Sequence, residues 1–167
     1  LKSCNIVFIS QDVLTNSLNK GDFDGLRKLT MKTSKFLNKK AIMVILSQTQ
    51  PGFTRKINFD NNRLYYQVET LIFGEALKRA LNPERIIIGC KSSKSKVNRL
   101  FINYLKKFGC PIIKMGYESA ELAKISINIL FVITETGILS EKTGIPVIFS
   151  VRKYIFPIHF QSEVCHG

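Results

Sequence analysis

The chain has no tryptophan and only four cysteines in 167 residues. The cysteines stand at positions 4, 90, 110 and 165, so no Cys-x-x-Cys pair and no zinc-ligand spacing is present. His159 and His166 have no partner at a recognisable spacing either. We therefore expect no metal site, and we expect the cysteines to be structural thiols in a reducing compartment.

Long apolar runs are also missing. The longest, residues 127–133, is interrupted by Asn128 and is much shorter than the roughly 20 residues that a membrane-spanning helix needs. No signal peptide is visible in the sequence. These absences predict a cytoplasmic protein without a membrane partner.

Acidic residues are scarce, because 12 Asp and Glu stand against 25 Lys and Arg, for a net charge of +13. A surplus of this kind invites a nucleic-acid interpretation, since clustered cations bind phosphate backbones. The lysines are scattered, however, with their densest groups at residues 39–40, 91–96 and 106–107. This distribution favours solvated surface lysines, and we expect no nucleic-acid partner.

Short apolar runs alternate with helical patterns through the first 116 residues. Runs rich in branched residues and without polar alternation are typical of strands buried on both faces of a parallel sheet. The predicted strands are residues 5–9, 41–46, 64–69, 85–89 and 111–114. The predicted helices begin after a capping Asp22, then span 74–81 and 96–108, and the last opens near Glu118 and runs to about Glu141. This order predicts an α/β fold with an open, mostly parallel sheet followed by a long helix.

The long helix carries a narrow polar strip. At about 100° per residue, four of its polar residues fall within an arc of roughly 60°, although most of their neighbours are apolar. These residues are Tyr117, Glu121, Lys124 and Asn128. A cation and a carboxamide are thus aimed to the same side of the helix. In isolation, Glu121 and Lys124 could equally form an ordinary surface pair one turn apart.

Three sequence blocks resemble the UDP-glucose/GDP-mannose 6-dehydrogenase family. They are Tyr117–Lys124 (YESAELAK), Tyr66–Gly74 (YQVETLIFG) and Ala80–Gly89 (ALNPERIIIG). The Lys-x-x-x-Asn spacing of Lys124 and Asn128 is found on the inter-domain helix of such NAD-dependent enzymes. The resemblance implies a partial Rossmann-like sheet. It divides the chain into part of an NAD-binding domain at 1–116, a central helix at 117–144 and a divergent tail at 145–167.

The resemblance also implies a reaction. The family oxidises the C6 alcohol of a nucleotide sugar to a carboxylate in two hydride transfers to NAD, with the intermediate held on a cysteine. By motif position, Lys124 is expected to stabilise charge on the reacting oxygen, and Asn128 to hold that oxygen or a water. Glu69 corresponds to a glutamate associated with proton transfer. The remaining expected contacts are substrate contacts at Thr70 and Leu71 and cofactor contacts at Ser10, Gln11, Ser47 and Gln48.

The sequence departs from the family at important places. It has no Gly-x-Gly-x-x-Gly fingerprint for a dinucleotide pyrophosphate and no glycine-rich segment around a nucleophilic cysteine. Gln48 stands where many members have threonine, and Phe73 replaces a second glutamate. We therefore expect an internal fragment of a nucleotide-sugar 6-dehydrogenase, acting on UDP-glucose or a related sugar, that is inactive by itself.

Two alternatives remain open from the sequence. The Lys-x-x-x-Asn pair also occurs in hydroxy-acid dehydrogenases, although the block at residues 66–74 argues against that assignment. A non-catalytic binding or assembly module is the other alternative, with a homodimer formed through the central helix and an open sheet edge pairing with another chain.

Overall fold

The computed structural model describes residues 1–13, 21–69 and 76–143, with side chains described as far as Leu130. Within these ranges it contains five strands, β1 (Ile6–Ile9), β2 (Ile42–Ile45), β3 (Leu64–Val68), β4 (Ile86–Cys90) and β5 (Ile112–Gly116). It also contains four α-helices, α1 (Asp24–Phe36), α2 (Ala76–Leu81), α3 (Arg99–Leu105) and α4 (Tyr117–Thr143). Two 3₁₀ turns lie at Thr54–Lys56 and Lys106–Phe108.

The five strands form one sheet in the order β1-β2-β3-β4-β5. β1, β2 and β3 are parallel to one another, β4 and β5 are parallel to each other, and β3 meets β4 in an antiparallel pair. The predicted α/β fold with a mostly parallel sheet is therefore confirmed. The predicted strands are all present, with ends that differ by one to a few residues.

Helix ends follow the local chemistry of the chain. Asp22 was predicted to cap α1, but the N-cap residue is Phe23, which makes no side-chain cap. Asp22 lies one residue earlier and accepts a hydrogen bond from the Asp24 amide at 3.0 Å, which satisfies a free donor at the start of α1. Asn98 is the N-cap of α3 and accepts from the Leu100 amide at 3.0 Å. The predicted helix 96–108 is shorter than expected, because α3 begins only after this cap and ends in a 3₁₀ turn.

Each face of the sheet carries its own hydrophobic core. α3 packs against one face, where Phe101 and Leu105 are fully buried against strand residues such as Tyr65. α1 and the first turns of α4 cover the other face, where Leu26, Tyr117 and Ala120 are buried. The tail predicted at 145–167 lies outside the described residues, and the division into domains stays a prediction.

α4 lies unusually close to the sheet at Gly89. A Cβ added to Gly89 would lie 2.9 Å from the Ala120 Cβ, 3.0 Å from the Tyr66 Cβ and 3.3 Å from the Tyr117 Cα. Only a residue without a side chain fits there, so Gly89 sets the distance between α4 and β4. In the described part of the chain, no helix is both long and apolar enough to cross a membrane.

Candidate functional site

The carboxyl ends of the three parallel strands lie at one edge of the sheet. Ser10 and Gln11 follow β1, residues 46–48 follow β2, and Glu69 follows β3. In open α/β sheets, ligands bind outside this edge. The chain then continues from β2 through residues 46–54, which we call the post-β2 segment. Successive turns of α4 hold this segment through side-chain hydrogen bonds.

Lys124 is the cation of the site. Its side chain is only 9% exposed, and its ammonium donates a hydrogen bond to the Leu46 carbonyl at the end of β2. Burial lowers the Lys124 pKa, an effect that the charges of Glu69 and Asp12 oppose. The structure therefore brings a partly desolvated ammonium to the carboxyl edge, with Glu69 among the charges that act on it.

Asn128 lies one turn further along α4. Its Nδ2 donates to Gln48 Oε1 at 2.7 Å, so the two carboxamides form a pair between α4 and the post-β2 segment. An amide in an apolar helix needs such a partner, because an unpaired buried polar group is costly. Asn128 and the residue that replaces the family's threonine, Gln48, are therefore direct neighbours.

Glu121, one turn before Lys124, is completely buried. Its carboxylate accepts hydrogen bonds from the Gly52 amide at 2.6 Å, from the Thr54 amide at 2.8 Å and from Thr49 Oγ1 at 3.3 Å. Burial raises the Glu121 pKa above its ordinary value, and these hydrogen bonds offset only part of the rise. The alternative of an exposed Glu121–Lys124 pair is wrong, because both residues are buried and each binds the post-β2 segment.

Tyr117 does not belong to the site, although it lies within the predicted polar strip. Its ring is fully buried, and its hydroxyl donates to the Leu64 carbonyl of β3 at 2.9 Å. The Arg55 guanidinium lies 5.5 Å from the ring centroid and also binds Glu118 through Nε and, at 2.8 Å, through Nη2. Tyr117 therefore anchors the first turn of α4 to the sheet.

The other predicted site residues differ in their burial. Ser47 is buried, and its hydroxyl donates to the Ile9 carbonyl at 3.4 Å, whereas Ser10 and Gln11 are exposed after β1. Glu69 is half-buried at the end of β3. Thr70 and Leu71 lie outside the described residues. The described residues hold no group of three or more His, Cys, Asp or Glu that could bind a metal ion.

Sequence reasoning missed the partners of Glu121. The turn at Pro51-Gly52 was visible in the sequence, and Gly52 indeed has a positive φ of 89°. What the sequence did not reveal is that this turn directs the amides of Gly52 and Thr54 towards one buried carboxylate. No signal in the sequence indicated this contact, because the residues involved are about 70 positions apart.

Comparison with known proteins gives a consistent result. No family model matches the chain. Over 101 residues it is 34% identical to the UDP-glucose 6-dehydrogenase of Campylobacter jejuni, a match that covers 59% of this chain and 26% of that protein. Over 120 residues it is 28% identical to the UDP-glucose 6-dehydrogenase of Streptococcus pneumoniae, covering 66% of this chain and 30% of that protein. The resemblance to the UDP-glucose 6-dehydrogenases is confirmed.

The solved structures agree in fold. The GDP-mannose dehydrogenase of Pseudomonas aeruginosa superposes with a TM-score of 0.65 over 79% of this chain and 33% of that one, at 16% sequence identity. Such a low identity shows the fold alone. The chain spans less than a third of the length of the UDP-glucose 6-dehydrogenases that it matches. The relatives are dehydrogenases.

Proposed function

We propose that this chain provides the carboxyl edge and central helix of an NAD-dependent nucleotide-sugar 6-dehydrogenase, which oxidises the C6 alcohol of UDP-glucose or a related sugar to the uronate. The observation that carries the proposal is Lys124, a buried ammonium bound to the Leu46 carbonyl at the edge where such sheets bind ligands. Asn128 and Gln48 add a carboxamide pair beside it.

The chemistry of these groups suits alcohol oxidation. Loss of a hydride from a C6 alcohol requires its hydroxyl proton to leave, so negative charge develops on the oxygen. An ammonium in a water-poor site stabilises such charge more strongly than it would in water. In this proposal, Lys124 holds the reacting oxygen, Asn128 orients it, and Glu69 accepts or relays the proton. Thr70 and Leu71 contact the sugar.

The cofactor fits this chain only in part. NAD, when bound, accepts the hydride. Ser47 and Gln48 at the end of β2, with Ser10 and Gln11 after β1, are polar groups suited to the nicotinamide end. The glycine-rich turn that lets a backbone approach the pyrophosphate has no match in these 167 residues, and neither does a glycine-rich cysteine segment. We therefore propose that the 167 residues alone do not turn over substrate.

A chimaera tests the proposal. The aligned segment of the Campylobacter jejuni UDP-glucose 6-dehydrogenase is replaced by the segment of this chain, and NADH formation from NAD and UDP-glucose is recorded. We expect turnover that Lys124→Met abolishes. Lys114→Met is the matched control, because Lys114 is an exposed lysine on β5 that donates to the Ser95 carbonyl at 2.8 Å. It should leave turnover unchanged.

Three results would contradict parts of this proposal. A chimaera that folds, by circular dichroism and sedimentation, yet forms no NADH counts against the assigned roles. Sustained NADH production by the 167-residue chain alone contradicts the proposed need for the missing motifs. Turnover that persists in Lys124→Met removes Lys124 from the catalytic groups.

An assembly role is supported by a separate observation. On α4, Leu122 and Leu130 are exposed by 54% and 64%, and they lie eight residues apart, offset by about 80° around the helix. We propose that this exposed side of α4 pairs two copies of the chain as a homodimer. Sedimentation of Leu122→Glu/Leu130→Glu should then give a monomer where the unaltered chain gives a dimer. An unaltered chain that is monomeric at all concentrations rules the dimer out.

A further inference from the structure

The post-β2 segment has no regular secondary structure before its final 3₁₀ turn, yet it carries the polar groups of the candidate site. Leu46 supplies the carbonyl that binds Lys124, and Gln48 supplies the oxygen that binds Asn128. The Tyr66 hydroxyl holds the Ser47 carbonyl between them, at 3.0 Å. The position of these groups therefore depends on what fixes the segment further along the chain.

Glu121 provides that attachment. One buried carboxylate binds three donors spread over six residues, at Thr49, Gly52 and Thr54. The shortest of these contacts is the 2.6 Å hydrogen bond from the Gly52 amide, and the three donors together satisfy a carboxyl group that is fully buried. Glu121 lies seven residues before Asn128 and three before Lys124, so all three side chains reach the segment from the same side of α4.

We infer that Glu121 is a positioning residue, which fixes the post-β2 segment to α4 and thereby keeps the Leu46 carbonyl and the Gln48 amide in place around Lys124 and Asn128. Glu121 touches neither the ammonium nor the carboxamides, so it acts through the segment. The catalytic side of this inference rests on the proposed function. The coupling between Glu121 and Lys124 does not, because it can be measured on the chain without substrate.

The direction in which Glu121→Gln changes the Lys124 pKa distinguishes a positioning role of Glu121 from a simple charge effect. Burial lowers the Lys124 pKa, while Glu69 and Asp12 act on it with the opposite sign. If Glu121→Gln loosens the segment, water reaches the ammonium and the Lys124 pKa rises towards its ordinary value. If Glu121 acted only as a nearby negative charge, its loss would lower the Lys124 pKa further. Glu69 and Asp12 are unaltered in both cases.

The experiment is an NMR titration of the Lys124 side chain in the 167-residue protein, assigned with Lys124→Arg. We expect Glu121→Gln to raise the Lys124 pKa and to accelerate amide exchange at Gly52 and Thr54, whose donors lose an acceptor. A Lys124 pKa that is unchanged or lowered overturns the inference. Glu84→Gln makes the same chemical change at an exposed glutamate, which is paired with Arg85 at 3.5 Å, and should alter neither signal.

Two further variants separate positioning from general loss of stability. Leu105→Ala destabilises the protein from the opposite face of the sheet, where Leu105 is fully buried, and should leave the Lys124 pKa unchanged. Thr49→Val preserves shape and removes the hydroxyl that donates to Glu121 at 3.3 Å and also contacts Tyr66, so a smaller rise is expected. If Glu121→Gln does not fold, Thr49→Val decides, and an unchanged pKa there contradicts the inference.

The chimaera described above extends the test to turnover. Because misplaced catalytic groups slow the chemical step, Glu121→Gln should lower kcat by at least about tenfold with little change in the KM for UDP-glucose. A rise in KM alone would contradict positioning of the reacting groups. If the chimaera is inactive but Glu121→Gln raises the Lys124 pKa, the proposed function is refuted and the coupling between Glu121 and Lys124 stands. If the chimaera is active but the Lys124 pKa does not change, only the coupling is refuted.

Discussion

The contact between α4 and β4 at Gly89 gives the sharpest prediction about stability. In Gly89→Ala, the added methyl group meets the Ala120 Cβ at 2.9 Å and the Tyr66 Cβ at 3.0 Å. Carbon atoms attract best at about 3.5–4.0 Å, so the helix and the sheet must separate by roughly 0.6 to 1 Å. Neither neighbour is the end of a flexible side chain, and therefore neither can turn away.

The expected cost follows from these contacts. Overpacking a close-packed core costs typically about 1–3 kcal/mol, and the lower chain entropy of unfolded Ala relative to Gly returns about 0.4–1 kcal/mol. We therefore expect Gly89→Ala to lower the free energy of unfolding by about 1–2 kcal/mol. In urea, this corresponds to a midpoint lower by roughly 0.5 to 1 M.

Gly116→Ala is the matched control, because Gly116 is also a strand glycine of the same sheet. The nearest atom to its added Cβ is Glu118 Oε2 at 3.9 Å, an ordinary contact. It should be neutral or slightly stabilising. If urea unfolding followed by circular dichroism gives the same midpoint for Gly89→Ala and Gly116→Ala, α4 does not rest on β4 as described, and the placement of Lys124 loses its support.

Three further predictions concern other parts of the fold. Arg55 lowers the Glu118 pKa from its ordinary 4.5 to about 2, so their pair stabilises the protein above about pH 4.5 and loses this contribution as the pH falls through about 2. Both side chains are over a third exposed, and Glu118→Gln should thus cost at most about 1 kcal/mol in urea at pH 7 and nothing near pH 2. Tyr66→Phe leaves the buried Ser47 carbonyl without its donor and should cost about 1–3 kcal/mol by the same assay. Phe101→Ala should cost about 3–5 kcal/mol by thermal unfolding, and a cost below 1 kcal/mol would contradict its full burial.

The sequence predicted the strands well because each is a short run of branched apolar residues. β2 and β4 are buried along their entire length, which is what a run without polar alternation indicates. The antiparallel pairing of β3 with β4 was not predictable from such runs. Residues 69–85 between the two strands are numerous enough for either direction, and a run buried on both faces reads the same in a parallel and an antiparallel sheet.

The sequence predicted correctly that four polar residues share one face of α4, but it did not predict which of them lie at the candidate site. Periodicity alone fixes which residues share a side of a helix, so it grouped Tyr117 with Glu121, Lys124 and Asn128. It does not say what lies opposite each turn. The first turn meets the backbone of β3, and the later turns meet the post-β2 segment. This difference separates an anchoring tyrosine from a candidate site, and it depends on contacts far apart in the sequence.

The surroundings of Lys124 support the role proposed for it more than a purely stabilising role. Burial lowers its pKa, which means that the charged form is less stable here than in water. A methionine of similar length could fill the same space without a desolvation cost. The hydrogen bond of Lys124 also goes to a neutral carbonyl, which leaves the ammonium charge only partly compensated. A structural ion pair would have placed a carboxylate in hydrogen-bond contact, whereas Glu69 and Asp12 act on Lys124 through their charges. The buried carboxylate on the same helix, that of Glu121, binds the post-β2 segment instead. In the proposed function, the charge of Lys124 is therefore available to an incoming oxygen at the carboxyl edge.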